Sequence, residues 1–506
     1  MRKIVKLPLL ICLLFTVSCD KGLDDLNRNV TSPTAINPVF QLNTAVLNVS
    51  FPAATIMYEA GIVQQMVTPN SGVLTGANYN QDNRANTQVL WQAYYRNVIR
   101  NTRDIINRTK DVPDRSNLMN MARILQAYAF MVLTDTYGDI PYSEGGAGFT
   151  NQVFFPKYDA QQEIYTNLLQ ELTQASAALS TTARVETGDI LFGGNITQWK
   201  KFGYSLLLRA GMRLTKVDLA KAQSTVQAAF QAGVIIANAD NAFVRHTNDY
   251  QNPIGNTLNS TEAANFYLAE PFVNYLKNTN DPRLSSIAIR YVGARSGPDQ
   301  QPAVGTTVAA QQTGMPMGYD NGSIPPIATA RGLASYYEFS QVDRRRLVKI
   351  NAPMFLVTAA QTNLLLAEAA FRGWITTGSA ATYYETGIRA HMEQMAAYDA
   401  GAAISATAIN TYVASTPYAA ATALRDINTQ YWIASFLNGP EAWANFRRSG
   451  FPQLAPNPFP GKDIKGNFIN RLTYPNSEIS VNSANVNAAI ARQGQDNLDT
   501  KVWWDK

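Results

Sequence analysis

Apolar residues recur at helical spacing along most of the chain, and this constrains its fold more than any other feature. Within residues 121–133, one apolar stripe is formed by Met121, Ile124, Leu125, Tyr128 and Val132. The same period predicts further helices at 87–110, 161–180, 199–214, 218–232, 261–278, 358–372, 380–397 and 424–446. Neighbouring helices joined by short turns bury their apolar faces by stacking on one another. The sequence therefore predicts a mostly α fold, a tetratricopeptide-like solenoid of helical pairs, with a globular all-α bundle as the alternative.

Two stretches between the predicted helices, 237–260 and 293–341, are rich in Gly, Pro, Asn, Gln and Thr. Connections of this length in a folded protein usually carry function or are disordered. A short strand is possible at 289–292. The prediction is thus a helical scaffold that carries loop-rich, ligand-binding insertions.

The N-terminus has the layout of a lipoprotein signal. A basic start is followed by an apolar run at 7–17, which is shorter than the roughly 20 residues that a membrane-spanning helix needs. The run ends at Thr16-Val17-Ser18-Cys19, which resembles the site at which a cysteine is acylated before cleavage. We therefore predict a signal peptide at 1–18, an acylated Cys19 with a polar tether over 19–40, and a binding domain at 41–506. An ordinary signal peptide with an incidental cysteine is the alternative.

Charge and cysteine usage exclude several classes of function. Loss of the signal's Arg2, Lys3 and Lys6 lowers the formal net charge from +5 to +2. The single basic run, 344–346, suits a solvated or salt-bridged face, so no nucleic-acid partner is predicted. Cys12 leaves with the signal and Cys19 is acylated, so the mature chain has no thiol for disulfides, metal binding or nucleophilic catalysis.

The sequence contains neither a catalytic motif nor a metal-binding motif. It has no Gly-x-Ser-x-Gly, P-loop or dinucleotide-binding fingerprint. His246 and His391 lack the spacing of metal ligands and suit structural or surface positions. No cofactor is predicted; Asp- and Asn-rich turns could hold calcium, although no EF-hand spacing supports it. We predict a binding protein and not an enzyme, while the many carboxylates leave a secreted glycan-degrading enzyme as an alternative.

Aromatic residues beside polar loops are the candidate ligand contacts, because sugar rings stack on flat apolar side chains. Trp91 follows the Asn- and Gly-rich segment 70–86. The other candidates are predicted to lie in loops: Tyr79, Tyr250 and Tyr319, each beside Asn or Asp, and Tyr291. By contrast, four tryptophans within helical patterns are predicted to be core residues: Trp199, Trp374, Trp432 and Trp443.

Five segments, taken in order, resemble one protein family. They lie at 123–141, 351–374, 383–392, 427–452 and 471–485. The most specific parts are YGDIP at 137–141, LAEA at 366–369, and EAW at 441–443 with the Arg447-Arg448 pair that follows. Together they resemble the SusD/RagB family of Bacteroidetes outer-membrane lipoproteins, in its SusD-like branch, over nearly the whole mature chain.

The same segments predict local structure. Gly138 should end the helix before it, because glycine is favoured where a helix terminates. Glu368 interrupts an apolar helix face, so it should be a structural carboxylate with an arginine or backbone amides beside it. Glu441 should form a salt-linked helix end with Arg447 and Arg448.

The resemblance implies a function at the cell surface. Members of the family cap a TonB-dependent transporter barrel of the SusC type and hand it oligosaccharides or, in some branches, peptides. Asp20, Asp24 and Asp25 suit the acidic surface-export signal of these bacteria. The expectation is a lipid-anchored outer-membrane protein, facing the exterior, that captures an oligosaccharide or another nutrient for a SusC-like barrel. A peptide-binding or helical-repeat adaptor lipoprotein is the further alternative.

Overall fold

Helices make up most of the described chain. The computed structural model describes residues 36–506, so the predicted signal peptide and Cys19 lie outside the described residues. The α-helices are α1 (Pro38–Asn48), α2 (Ala54–Met57), α3 (Glu59–Ile62), α4 (Arg84–Ala93), α5 (Arg100–Thr109), α6 (Ser116–Tyr137), α7 (Gly148–Asn151), α8 (Gln161–Ala178), α9 (Ile196–Arg213), α10 (Leu219–Ala232), α11 (Pro253–Asn259), α12 (Glu270–Asn278), α13 (Arg283–Ile287), α14 (Ile324–Ala330), α15 (Ala359–Phe371), α16 (Ala380–Gln394), α17 (Ala406–Ser415), α18 (Ala423–Ala434), α19 (Gly439–Ser449), α20 (Asn476–Val481) and α21 (Ser483–Gln493).

These helices contact one another largely in chain order. Helix α5 packs on α6, α6 on α8, α8 on α9, and α9 on both α10 and α15. The second half continues with α15 on α16 and α18, and α18 on α19. The predicted mostly α fold is confirmed. Among residues 36–506, no helix has both the length and the apolar composition needed to cross a membrane.

Short antiparallel strands tie the insertions to the helices. The strands are β1 (Met66–Val67), β2 (Ala242–Val244), β3 (Tyr267–Leu268), β4 (Ala288–Tyr291), β5 (Gly305–Thr306), β6 (Gln341–Val342) and β7 (Met354–Val357). Strand β1 pairs with β3, β2 with β7, and β4 lies between β5 and β6. The strand predicted at 289–292 is confirmed as β4.

Two predicted helices are wrong in their bounds. The helix predicted at 261–278 begins only at Glu270, because residues 261–265 form turns and β3 (Tyr267–Leu268) pairs with β1. The helix predicted at 424–446 is two helices, α18 and α19, and the chain turns at Leu437, whose φ is +67°. Asn438 then caps α19 by accepting a hydrogen bond from the Glu441 N–H. The stretch predicted at 87–110 is helical but passes through a π-helical turn at Tyr94–Ile99.

Large aromatic side chains fill the core between the helices. Trp199, Trp432 and Trp443 are fully buried and Trp374 is 6% exposed, which confirms the prediction that these four are core residues. Gly138 ends α6 with a φ of +79°, as predicted.

Glu368 is confirmed as a buried structural carboxylate. From α19, Arg448 donates from Nη1 to Oε1 at 2.9 Å and from Nη2 to Oε2 at 2.7 Å. Arg372 donates to Oε1 at 2.8 Å, and the Asn428 amide donates to Oε2 at 3.1 Å. This network joins α15, α18 and α19.

The predicted partners of Glu441 are wrong. Its Oε2 atom lies 2.6 Å from Arg213 Nη2 and 3.3 Å from Arg209 Nε, both on α9. Arg447 and Arg448 lie six and seven residues further along the same helix, a rise of about 9–10 Å, so their guanidiniums meet other partners. The ion pairs of Glu441 therefore hold α19 against α9.

Gly203 allows the close approach of α9 to α8. A Cβ atom there would lie 2.0 Å from the Ser176 hydroxyl oxygen and 3.1 Å from Ile124 Cδ1. We expect Gly203→Ala to lower the free energy of unfolding by about 1–3 kcal/mol, as measured by chemical denaturation. Ser176→Ala alone should be nearly neutral, because that hydroxyl has no hydrogen-bond partner in the described chain. Combined with Gly203→Ala it should recover much of the loss; an unrecovered loss would contradict this steric account.

Candidate ligand-binding face

The 293–341 insertion contributes β5 to the small sheet β5–β4–β6 and forms a tyrosine-rich surface. Tyr291, the last residue of β4, is 3% exposed and packs with Ile289, Ala294 and Tyr337. The Arg344 guanidinium carbon lies 5.7 Å from the centroid of the Tyr291 ring, and its Nη2 atom lies 3.3 Å from the hydroxyl oxygen. Tyr291 therefore supports this surface from within.

Tyr336 and Tyr337 are stacked on each other and half-buried. Their ring centroids are 4.3 Å apart and their planes are inclined by 27°. The Ser335 hydroxyl accepts a hydrogen bond from the Tyr337 N–H at 3.0 Å and donates to the Ala294 carbonyl at 2.8 Å. The Gln300 amide donates to the Tyr337 carbonyl at 2.9 Å. Because these bonds fix the backbone, the two rings are pre-organised before any ligand binds.

Tyr319 is also half-buried and, like Tyr336, packs against a small satellite core. That satellite core contains Val67, Tyr267, Ala269, Met315, Met317, Ile324, Ala328, Leu333 and Phe339. We call the half-buried rings of Tyr319, Tyr336 and Tyr337 the tyrosine patch.

A second loop closes against the edge of the tyrosine patch. Gly318 has a φ of +85°, and a Cβ atom there would lie 2.7 Å from Pro458 Cγ, so glycine permits this close approach. Phe459 follows, and its ring centroid is 4.5 Å from that of Tyr79. The Tyr79 hydroxyl is buried without a hydrogen-bond partner among the described residues.

Two tyrosines of this surface, Tyr336 and Tyr79, have raised pKa values that keep their hydroxyls protonated. Burial, and the hydrogen bond with Tyr337, raise the pKa of Tyr336. Burial, and the nearby Asp320 carboxylate, raise the pKa of Tyr79 beside the patch. Glu338, which follows Tyr337 in the chain, is neutralised by an ion pair between its Oε1 atom and Arg290 Nη2 at 2.6 Å. Flat neutral rings of this kind suit an uncharged sugar chain better than an ionic ligand.

The structure brings three of the five candidate aromatic residues together. Tyr319 belongs to the tyrosine patch, while Tyr79 and Tyr291 lie beside it and are 1% and 3% exposed. Trp91 is 4% exposed, inside an aromatic cluster with Tyr95, Tyr137, Tyr158 and Tyr474. Tyr250 is 62% exposed, and its carbonyl accepts from the ring of His246. The ligand roles of all five stay predictions.

Sequence reasoning misses Tyr336 and Tyr337. Their neighbours are Ser335 and Glu338, whereas Tyr79, Tyr250 and Tyr319 stand directly beside Asn or Asp in the sequence. Two adjacent tyrosines within a loop-rich stretch are the signal that could have indicated them. In the described part of the chain, no group of three or more His, Cys, Asp or Glu side chains is arranged to hold a metal ion.

Comparison with known proteins agrees with this architecture. The SusD-like family described as "Starch-binding associating with outer membrane" matches residues 28–475. A solved chitin-binding protein shares 30% identity with a TM-score of 0.81, covering 93% of this chain and 100% of its own. A structure described as Bacteroidetes AC2a SusD-like has 26% identity, a TM-score of 0.81, and coverage of 93% and 100%. A chitin-binding SusD homolog from Flavobacterium johnsoniae has 24% identity, a TM-score of 0.76, and coverage of 93% and 98%. No curated protein matches the sequence.

The matching family and structures are those of binding proteins and not of enzymes, in agreement with the prediction from sequence. The match covers most of the chain, including the helices that carry the YGDIP, LAEA and EAW segments. The chain therefore belongs to the SusD-like family of outer-membrane-associated, starch-binding proteins.

Proposed function

We propose that this protein is a lipid-anchored lipoprotein on the exterior of the outer membrane that captures an oligosaccharide and passes it to a TonB-dependent, SusC-like transporter. The observation that carries the proposal is the tyrosine patch, a rigid set of neutral rings in the loop-rich insertion. Sugar binding requires flat apolar surfaces with polar groups at their margin. Arg344 supplies a polar group there.

A β-linked chain of N-acetylglucosamine is the ligand class that we favour. The similar structure at 30% identity is that of a chitin-binding protein, and an uncharged, flat-faced polymer suits neutral stacked rings. Starch is the other carbohydrate to test, because the family description names it. Peptides are the alternative from the sequence resemblance.

Delivery to a barrel requires that the protein stay attached while its body moves. In the proposed arrangement, Cys19 carries the lipid, and the tether predicted at 19–40 ends before α1, which begins at Pro38 and buries Val39. The 17 residues from 19 to 35 can span up to about 60 Å when extended. This reach supports a body that opens and closes over a transporter without leaving the membrane.

The tyrosine patch is tested by Tyr336→Ala combined with Tyr337→Ala. Each lost stacking contact is worth about 0.5–1.5 kcal/mol, so the double variant should bind chitohexaose roughly 5- to 150-fold more weakly by calorimetry. Starch oligosaccharides and peptides of similar length are titrated in parallel to identify the ligand class.

Phe154→Ala is the matched control, because this ring is 71% exposed and lies outside the patch. It should leave the affinity unchanged. An unchanged affinity in a folded double variant would contradict the proposal. A larger loss in Tyr250→Ala than in the double variant would move the site to the 245–252 loop.

A further inference from the structure

A cleft of about 500 Å³ lies between α5, α6, α8 and the 142–159 loop, and no tyrosine-patch residue lines it. Its apolar wall is formed by Ile106, Phe130 and Tyr142, with the two aromatic ring centroids 4.6 Å apart at 63°. The size is that of a small-molecule site, and an apolar wall with a few polar groups is the usual composition of such sites.

Arg103 is the unusual group in this cleft. Its Nη2 atom donates to the carbonyls of Tyr142 and Gly145, each at 3.0 Å, and its Nε atom donates to Gly145 at 3.2 Å. In the described chain it forms no ion pair, and its Nη1 atom has no hydrogen-bond partner. Burial lowers the pKa of Arg103. The two carbonyls thus orient a partly desolvated cation that forms no ion pair with a carboxylate of the described residues, while the Glu171 carboxylate acts on it only at longer range.

The other charged groups of the cleft are engaged or exposed. Arg123 binds Glu171 through two hydrogen bonds of 2.9 and 3.1 Å. Asp159 accepts from the N–H groups of Tyr142 and Ser143, and Lys157 Nζ lies 3.5 Å from its Oδ1 atom. Glu163 is exposed at the cleft and forms no ion pair among the described residues. Among the described residues, Arg103 is therefore the cation of the cleft that has no ion pair.

We propose that this cleft is a second ligand site, which binds a small carboxylate through Arg103 and packs the body of that ligand on Phe130 and Tyr142. A guanidinium with a free terminal nitrogen donates charge-assisted hydrogen bonds to a carboxylate. The carboxylate could belong to a sugar acid or to a peptide C-terminus. The sugar ring or the C-terminal side chain would then pack on Phe130 and Tyr142. The site is independent of glycan binding at the tyrosine patch.

The test is calorimetric titration of the full mature chain with two carboxylates and their uncharged counterparts. D-glucuronate is compared with D-glucose, and N-acetyl-L-phenylalanine with its amide. We expect at least one acid to bind, about tenfold or more tightly than its uncharged counterpart, and to weaken as salt is added. Binding of glucuronate alone indicates sugar acids, and binding of N-acetyl-L-phenylalanine alone indicates peptides.

Two variants then have effects of opposite sign. Arg103→Gln should weaken binding of the acid about tenfold or more, and Glu163→Gln should tighten it about two- to threefold by removing a like charge at the cleft. Arg108→Gln is the control, because Arg108 lies on the same helix but binds Gln41, and it should leave the affinity unchanged.

Three results would overturn the second site. They are an acid and its uncharged counterpart binding equally, no binding of either acid at about 10 mM, and an unchanged affinity in folded Arg103→Gln. Should Arg103→Gln fail to fold, the Glu163→Gln titration decides, because a loss of structure cannot tighten binding. Chitohexaose binding should be unaffected by Arg103→Gln, so failure here is distinguishable from failure of the proposed glycan site.

Discussion

Arg448→Met is expected to lower the free energy of unfolding by about 3–5 kcal/mol, because it removes one partner of a buried ion pair. Arg448 and Glu368 have side chains that are each 1% exposed and joined at 2.7 Å. Without the arginine, the Glu368 carboxylate would keep only Arg372, whose side chain is 25% exposed, and the Asn428 amide. Leaving a buried charge with fewer partners destabilises the folded state by more than the intact ion pair stabilises it.

Chemical denaturation of matched variants measures this effect. Arg425→Met is the control, because Arg425 is 55% exposed and pairs with Asp426 at the surface, where an ion pair is worth about 0–1 kcal/mol. Adding Glu368→Met to Arg448→Met should restore part of the lost stability, since neither charge is then buried alone. Equal effects of Arg448→Met and Arg425→Met would contradict the structural role given to Glu368.

The same pair should make the stability difference depend on pH. Burial alone would raise the pKa of Glu368, but the Arg448 and Arg372 guanidiniums lower it from 4.5 to about 2. A carboxyl whose pKa is depressed on folding stabilises the protein above its unfolded pKa, and this contribution is lost as the pH falls through the folded pKa. The gap in stability between wild type and Arg448→Met should therefore be widest near neutral pH and narrow below about pH 4.

Local rules account for what the sequence predicted correctly. An apolar helix face interrupted by one carboxylate demands a buried partner, so the role of Glu368 follows from its neighbours in sequence. Gly138 is equally local, since the residue type itself favours a helix end. The helical period likewise predicts the scaffold, because one repeating stripe determines which face each helix buries.

Contacts between segments that are far apart in sequence account for the features that sequence analysis could not predict. Arg209 and Arg213 reach Glu441 across 228 or more residues of sequence, and no local spacing indicates that α9 and α19 are neighbours. Trp91 follows a polar loop, yet its ring is covered partly by Tyr474, which lies near the other end of the chain. The tyrosine patch has the same origin, because Tyr319 and Tyr336 each pack on a satellite core that is assembled from several loops.

Cys19→Ser is expected to abolish stable attachment of the protein to the outer membrane. Each buried methylene of an acyl chain contributes about 0.8 kcal/mol, and stable anchoring needs more than one chain. Because the acyl chains are proposed to be attached at Cys19, loss of this cysteine should remove nearly all of the membrane affinity. In the described part of the chain, no helix could substitute by crossing the membrane. The measurement is incorporation of an alkyne-labelled fatty acid, together with membrane fractionation, in a host that lacks the transporter barrel.

The chain supplies its own control in Cys12, the other cysteine of the sequence. Cys12 lies within the apolar part of the predicted signal and is removed with it, so Cys12→Ser should leave both labelling and fractionation unchanged. Loss of label in Cys12→Ser, or its retention in Cys19→Ser, would contradict the lipid anchor. The use of a host without a barrel matters, because a transporter could hold the body at the membrane through protein contacts alone. In a host with the barrel, the fraction of Cys19→Ser protein that remains membrane-bound would report those contacts directly. The two hosts together distinguish attachment through the lipid from attachment through the transporter.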